Sequence, residues 1–291
     1  MSRLTQLLDR VGIRRPRTRS VRATVRRLCS AAPRAKNGHA ISSRSDLIEL
    51  IGPRHIVLEI GPLTNPTVRG KNVRYFDVLD EAGLIKYAES CNYPTANSAP
   101  IDYVSPNGDL SIVESEAYDV VFSSHCMEHQ PDLVSHLNHI ERILVCGGRY
   151  LFALPDHRYC FDHFIPASTS SEVIEAFSEK RQVHTIKSHI NHATKTTHND
   201  PVRHWNGDHG EPAGEHCFDD GAKERLLDSI AEGKYSDCHA WQFTPESLSE
   251  ILAELRRCGL TSLTLEFVTP TPRNTFEFYG VLGKASPLHP A

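Results

Sequence analysis

Short runs of β-branched and aliphatic residues alternate with stretches of helical periodicity along most of this chain. Each run ends at turn-forming or polar residues, as buried strands do. The runs that predict the first five strands are 55–62, 72–78, 100–104, 118–124 and 149–154. Strands that alternate with helices predict an α/β fold, in which a mostly parallel sheet is covered on both faces.

The helix predicted before the fifth strand has the clearest pattern in the sequence. Pro131 and Asp132 fall in its first turn, and Gly147 is expected to end it. A second clear helix starts at the cap residue Thr244 and ends at Gly259. The apolar stripe of the first helix consists of Leu133, Leu137, Ile140 and Leu144.

The end of the chain predicts a different strand arrangement. Two last strands, 263–267 and 276–282, are joined by a short turn that contains Pro270 and Pro272. This connection is too short for a parallel crossover, which needs about a dozen residues or more. We therefore predict an antiparallel hairpin at one edge of the sheet.

Residues 161–240 interrupt the alternation and form a polar, histidine-rich insertion without an evident strand–helix rhythm. A long insertion after the fifth strand falls at the edge of the sheet where functional loops collect. Three interpretations stay open: a lid over a substrate, a polar insertion without a role, and a metal site. The residues that favour a metal are His198, Asp200, His204 and His209, although their spacing matches no specific metal motif.

Charge separates the first 40 residues from the rest, since they hold eleven Lys and Arg against one acid, Asp9. We predict a basic tail at 1–40, one domain at 41–283 and a short tail at 284–291. The basic tail is interpreted as a solvated segment, as a helix that contacts a membrane surface or a protein, or as a transit peptide. Nothing in it indicates specific nucleic-acid binding.

The cysteines and the hydropathy of the chain indicate in which cellular compartment the protein is expected. The eight cysteines are scattered, and no two stand at a CxxC spacing. Free thiols of this kind are typical of a reducing cytosol. The sequence has no run of 18 apolar residues that would span a membrane. We therefore expect a cytoplasmic protein, with membrane contact only at its periphery.

Polar residues stand where the predicted parallel strands end, which is where open α/β sheets bind ligands. Glu59 and Gly61 close the first strand, and Asp77 closes the second. Gly61 allows the backbone to approach a ligand closely. The fourth strand runs into Ser124 and a histidine-containing loop that includes His129.

These strand ends, in the runs VLEIGP, YFDV and YDVVFSSHCMEH, resemble the motifs of class I S-adenosylmethionine-dependent methyltransferases. The resemblance implies a Rossmann-like, seven-stranded, mostly parallel sheet with an antiparallel last strand. It implies a methyltransferase with S-adenosylmethionine as cofactor. It also assigns Asp77 to the ribose hydroxyls and Asp109 to the adenine loop. The cofactor-binding residues that we predict are Glu59, Gly61, Pro62, Asp77, Asp109 and Ser124.

Histidines near these strand ends are the candidates for catalysis, because a base helps when the methyl acceptor is a hydroxyl group. We predict His125, His129 and His157 in this role, and no metal at the site. Further runs, IDYV, EHQPDL and PDHRYCFD, resemble bacterial methyltransferase-domain proteins linked with surface-polysaccharide synthesis. This resemblance implies a small-molecule or carbohydrate acceptor.

The turn after Gly61 departs from the methyltransferase pattern. Pro62 to Pro66 replace the usual run of glycines, and no further glycine comes before Gly70. Only about ten residues separate Gly61 from the second strand, which leaves no room for a full helix. We therefore predict a remodelled cofactor turn. The alternatives are a metal-dependent enzyme on the same fold and a non-catalytic scaffold.

Overall fold

The structure is a computed structural model that describes residues 40–214, 223, 224, 227, 228, 232 and 235–285. The predicted basic tail and most of the C-terminal tail therefore lie outside the described residues, as does part of the insertion. The interpretations of the basic tail stay predictions. Within the described residues, no helix has both the length and the apolar character needed to cross a membrane.

Seven strands form one mixed sheet, in the order β3-β2-β1-β4-β5-β7-β6. Strands β1 to β5 run parallel, whereas β7 pairs antiparallel with both β5 and β6. The predicted Rossmann-like fold and the antiparallel hairpin are confirmed. The strands are β1 Val57–Ile60, β2 Val73–Asp77, β3 Tyr103–Val104, β4 Tyr118–Ser124, β5 Leu144–Pro155, β6 Thr264–Val268 and β7 Glu277–Gly283.

The helices form where capping residues meet apolar stripes. Asp132 accepts a hydrogen bond from the Ser135 N–H at the start of α3, so Asp132 caps this helix and does not lie inside it. Strand β5 begins directly after α3, three residues before Gly147, which therefore does not end the helix. The helices are α1 Arg44–Ile48, α2 Glu81–Ser90, α3 Leu133–Ile143, α4 Ser170–Glu179, α5 Ile186–Lys195, α6 Pro201–Trp205 and α7 Pro245–Arg257.

Apolar side chains cover both faces of the sheet. On one face, α3 and α7 contribute fully buried residues such as Leu137 and Leu248. On the other face, Leu47 of α1 packs with Phe122 and Phe267 from the strands. Removing apolar surface of this kind from water contributes roughly 25 cal/mol per Å². The two packed layers hold the ends of the parallel strands in fixed positions.

The insertion was expected to lack a regular pattern, but it contains α4, α5 and α6. Helix α4 begins with a reciprocal cap in which the Thr169 side chain binds the Glu172 N–H and the Glu172 carboxylate binds the Thr169 N–H. Trp205 of α6 stacks on Tyr159 with ring centroids 4.0 Å apart, and its indole N–H donates to the Thr275 carbonyl. These contacts fix the insertion against the end of β5 and the β6–β7 turn.

Candidate active site at the strand ends

A cavity of about 800 Å³ opens where β1, β2 and β4 end. This is the crevice at which open α/β sheets bind their ligands, and its volume suits a cofactor together with a small acceptor. The cavity brings together most of the predicted site residues. They are Glu59, Gly61, Pro62, Asp77, Ser124, His125 and His129.

The Glu59 carboxylate organises the turn that replaces the first helix of the fold. Its two oxygens accept hydrogen bonds from the backbone N–H groups of Thr67 and Val68, both at 2.8 Å. Burial raises the pKa of Glu59 to about 7, although these two hydrogen bonds and Arg69 act in the opposite direction. Glu59 therefore orients the remodelled turn through direct backbone contacts.

The turn continues from Gly61 to a contact with Asp77. Gly61 has a φ of 69°, in the left-handed region that favours glycine. The backbone N–H of Leu63 donates to Asp77 Oδ2 at 3.2 Å, and that of Val78 donates to Oδ1 at 2.7 Å. Burial raises the pKa of Asp77 against these two hydrogen bonds. Each carboxylate oxygen keeps a free lone pair, so Asp77 is able to accept two hydroxyl groups.

Ser124 lies at the end of β4, on the wall of the same cavity. Its Oγ is buried and has no hydrogen-bond partner among the described residues. An unpaired buried hydroxyl is unfavourable by roughly 1–3 kcal/mol. A ligand that offers a polar group here would remove that penalty.

His125 follows β4 in a left-handed conformation, with a φ of 51°. Its Nε2 lies 2.7 Å from Glu277 Oε1, and its Nδ1 lies 3.3 Å from Glu128 Oε1. Burial disfavours the charged ring, but the two carboxylates outweigh it and raise the pKa to about 9. His125 is therefore protonated at neutral pH, where it pairs with the two carboxylates and is not available as a base.

His129 forms a pair with Asp237, a residue that the sequence reasoning did not select. Its Nδ1 lies 2.8 Å from Asp237 Oδ1, and the Tyr235 hydroxyl donates to the same oxygen at 2.8 Å. All three residues line the cavity. Because Asp237 occupies Nδ1, the nitrogen that His129 has free is Nε2.

Glu128 and His239 lie beside this pair. The single-turn 3₁₀ helix Met127–His129 buries the Glu128 side chain completely. The Glu128 carbonyl accepts hydrogen bonds from the backbone N–H groups of Ala240 and Trp241, which brings His239 alongside. His239 is itself held by the buried carboxylate of Asp162, 2.6 Å from its Nδ1.

Two predicted site residues lie outside the cavity lining. Asp109 caps the 3₁₀ helix Leu110–Ile112 through a hydrogen bond from the Ser111 N–H. Its neighbours Gly108 and Leu110 line the cavity in its place. His157 starts the 3₁₀ helix after β5, and burial lowers its pKa. Neither position brings the side chain to the cavity, so their predicted roles receive no support from the geometry.

The predicted metal-binding set is also arranged differently. Asp200 caps α6, and both ring nitrogens of His198 are used in hydrogen bonds to backbone groups. His204 and His209 lie together, but their third neighbour is His163. His239 belongs to the histidine-rich composition of the insertion, but neither it nor His163 or Asp237 was assigned to a site, because all three reach their partners through the path of the insertion.

Comparison with known families identifies part of this domain. A family model described as "Methyltransferase domain" matches residues 69–152, from just before β2 through most of β5. The match agrees with the predicted methyltransferase domain over these residues, which are less than a third of the chain. It does not include the Gly61 turn, which is the part that departs from the usual motif. No curated protein matches the chain.

Several solved structures are similar to this chain at low sequence identity. The CurJ carbon methyltransferase is 15% identical over 83% of this chain and 52% of that one, with a TM-score of 0.38. An S-adenosylmethionine-dependent methyltransferase from Mesorhizobium loti is 11% identical over 82% and 96%, with a TM-score of 0.38. The trans-methyltransferase CalH, in complex with SAH, is 14% identical over 80% and 52%, with a TM-score of 0.35. The chain spans about half the length of CurJ and CalH.

Proposed function

We propose that this protein is an S-adenosylmethionine-dependent methyltransferase that acts on a small-molecule acceptor, with a saccharide as the favoured class. The observation that carries the proposal is the cavity at the ends of β1, β2 and β4. Asp77 and the partnerless Ser124 hydroxyl both lie on its wall. The matched methyltransferase domain contains both residues.

The cofactor side of the cavity is formed by the strands. Gly61 brings the backbone close to the ligand, and its N–H is already held by the Phe76 carbonyl at 2.9 Å. Asp77 offers its remaining lone pairs to ribose hydroxyls, and Ser124 offers a free hydroxyl group. Leu79 and Leu84 provide apolar surface at the same wall. These residues suit a nucleoside whose side chain carries a sulfonium group, as in S-adenosylmethionine.

The acceptor side is formed by His129, Asp237 and exposed aromatic residues. Tyr87 and Tyr93 line the cavity and are about half exposed, at 48% and 54%. Half-exposed tyrosines stack on sugar rings while their hydroxyl groups stay hydrated. Together with the resemblance to proteins linked with surface-polysaccharide synthesis, they favour a carbohydrate acceptor.

When bound, S-adenosylmethionine supplies a methyl group on a sulfonium sulfur, which becomes a neutral thioether as the acceptor attacks. The chain's own contribution is to hold the acceptor in line with that methyl group, and positioning provides most of the rate enhancement. A hydroxyl acceptor also loses a proton. The free Nε2 of His129 is the group in the cavity that is placed to act on that hydroxyl.

Isothermal titration of tag-free protein with S-adenosylhomocysteine tests the cofactor site. We expect one binding site per chain and no need for an acceptor. The Asp77→Asn variant should bind about tenfold more weakly or worse, because hydrogen bonds to a charged group contribute about 1.5–3 kcal/mol each. The exposed Glu89→Gln variant is the matched control and should bind like the wild type.

The far-ultraviolet circular dichroism of each sample establishes that it is folded. A folded wild-type protein that shows no heat of binding at millimolar ligand would overturn the proposal. Equal affinity in the Asp77→Asn variant would place the cofactor elsewhere. A screen of sugar nucleotides and free saccharides for methylated product would then identify the acceptor.

A further inference from the structure

The buried Glu128 carboxylate is the least satisfied charged group in the described part of the chain. Its side chain has no solvent exposure, and neither of its oxygens has a hydrogen-bond partner among the described residues. The nearest ring nitrogen is Nδ1 of His125, 3.3 Å from Oε1. Protonated His125 therefore gives Oε1 one long ion pair, and Oε2 has no partner among the described residues. A buried carboxylate that is paired so incompletely is unfavourable, and such groups are usually paired further or bind a metal.

Two more histidines lie near this carboxylate, and each of them is bound by a carboxylate of its own on the other side of its ring. Asp237 binds Nδ1 of His129 and Asp162 binds Nδ1 of His239, which leaves Nε2 of both rings free. The two rings are perpendicular, with centroids 4.6 Å apart. Histidines that ligate a metal are commonly oriented in this way, because the carboxylate fixes the tautomer and makes the free nitrogen more basic.

We propose that Glu128, His129 and His239 bind one divalent transition-metal ion at the acceptor end of the cavity. One ligand atom from each residue lies within 4.8 Å of the others. Ligands at the usual 2.0–2.2 Å around a tetrahedral zinc ion lie roughly 3.4 Å apart, so the side chains need to close by about 1 Å. Two imidazoles and one carboxylate suit Zn²⁺, Fe²⁺ and Mn²⁺, and three protein ligands leave a position open.

The role of the ion rests on the proposed function. His129 lines the cavity that we assign to the cofactor and the acceptor. An ion held there would bind an acceptor oxygen in its open position and lower the pKa of that hydroxyl. Because Nε2 of His129 would bind the ion, it would no longer act on the hydroxyl directly, and the hydroxyl proton would pass to solvent. The new bond would form between the acceptor oxygen and the methyl carbon, and the bond from that carbon to sulfur would break. Binding of the ion itself does not depend on this reaction.

A second group of histidines in the described residues serves as a comparison. His163, His204 and His209 also have ligand atoms within 4.8 Å of one another. However, the rings of His163 and His209 stack face to face, 3.7 Å apart and 8° from parallel. Lone pairs in parallel ring planes do not converge on one point, and no carboxylate belongs to this group. It therefore provides a control for binding to histidine alone.

Metal binding to the full chain, purified without a histidine tag and stripped with chelator, tests the proposal. The probes are Zn²⁺ and Mn²⁺, each alone, followed by calorimetry and by metal analysis after gel filtration. Mn²⁺ is included because thiolates of the exposed cysteines bind it poorly. We expect one ion per chain in the wild type and in His209→Asn, and a loss of binding of about 100-fold or more in Glu128→Gln and His239→Asn.

Absence of binding at millimolar metal in the folded wild type would overturn the proposal. So would binding that survives in Glu128→Gln and His239→Asn, or that is lost in His209→Asn. If Glu128→Gln does not fold, the metal affinity of His239→Asn decides between the outcomes. The hydrogen bond that this variant disturbs is the one between His239 and Asp162. Titration of the same samples with S-adenosylhomocysteine keeps the two proposals separate, since failure to bind metal leaves cofactor binding unchanged.

Discussion

Asp237 Oδ1 lies 2.8 Å from His129 Nδ1, and this contact joins two parts of the chain that are 108 residues apart in sequence. Burial and the neighbouring His129 act in opposite directions on the Asp237 carboxyl, and the histidine prevails and lowers its pKa to about 2. Asp237 is therefore ionised at neutral pH. It fixes the ring of His129 with Nε2 free.

The first prediction follows from this pair. Asp237→Asn should weaken Zn²⁺ and Mn²⁺ binding about 10- to 100-fold, because the amide no longer fixes the tautomer and basicity of the ring. Affinity for S-adenosylhomocysteine should stay within about twofold of the wild type, since Asp237 lies on the side of the cavity that we assign to the acceptor. Calorimetry measures both. An unchanged metal affinity would mean that His129 does not need Asp237 to bind an ion.

The second prediction concerns the pH dependence of stability at Glu59. Burial raises its pKa from 4.5 to about 7 in the folded state. A folded state that holds the proton more tightly is favoured at low pH, so this contribution is present below about pH 4.5 and is lost as the pH rises through 7. The loss amounts to about 3 kcal/mol at most, at roughly 1.4 kcal/mol per pKa unit.

Denaturant unfolding between pH 4.5 and 8 measures this contribution. The free energy of unfolding of the wild type should decrease over that range by more than that of Glu59→Gln, which has no proton to lose. The comparison uses the change in free energy of unfolding between the two pH values within each protein. Glutamine also disturbs the hydrogen bonds to Thr67 and Val68, so absolute stabilities are not compared. Parallel pH profiles of the two proteins would contradict the prediction.

The third prediction tests the packing of β5 against β7. Gly280 lies opposite Phe152, and a Cβ atom at Gly280 would come within 2.3 Å of the Phe152 ring. Gly280→Ala should lower the free energy of unfolding by about 1–3 kcal/mol, as overpacked cores do. Adding Phe152→Leu should recover part of that loss. If the double variant loses as much free energy of unfolding as the two single variants lose in sum, or more, ring crowding is not the cause.

The fourth prediction concerns the attachment of the insertion. Trp205→Ala removes the stack on Tyr159 and the hydrogen bond to the Thr275 carbonyl. We expect a loss of about 2 kcal/mol or more in local stability, and faster proteolytic cleavage within residues 161–240 than in the wild type. Trp205→Phe should restore the stack but not the hydrogen bond, and should give an intermediate rate.

Much of the sheet was predictable because its central strands, such as β1 and β4, are buried on both faces. Runs such as Tyr118–Ser124 consist of strong β-formers, and the short turn after β6 permits only an antiparallel return. The missing first helix was also predictable, from the number of residues after Gly61. The capping pair Thr169 and Glu172 was visible in the sequence, although its helix was not recognised because only Val173 and Ala176 are buried in it.

The site was only partly predictable, for a physical reason. Residues at strand ends, such as Glu59, Asp77 and Ser124, are placed by the parallel sheet itself, and the pattern of strands is local in sequence. The segment that carries Asp237 and His239 is placed by hydrogen bonds from the Ala240 and Trp241 N–H groups to the Glu128 carbonyl, and by the contact of His239 with Asp162. No periodicity encodes such a path, so the partners of these two residues could not be predicted from the sequence.

The Glu128 carbonyl accepts hydrogen bonds from the backbone of Ala240 and Trp241, and this contact lies where the sheet meets the insertion. The sheet supplies the groups that we assign to the methyl donor, whereas the insertion supplies Asp237, Asp162 and His239 on the side that we assign to the acceptor. The two sets meet at this backbone contact and at the pair of His129 with Asp237. In the enzyme that we propose, exchange of the insertion alone would therefore change the acceptor side and leave the donor side as it is.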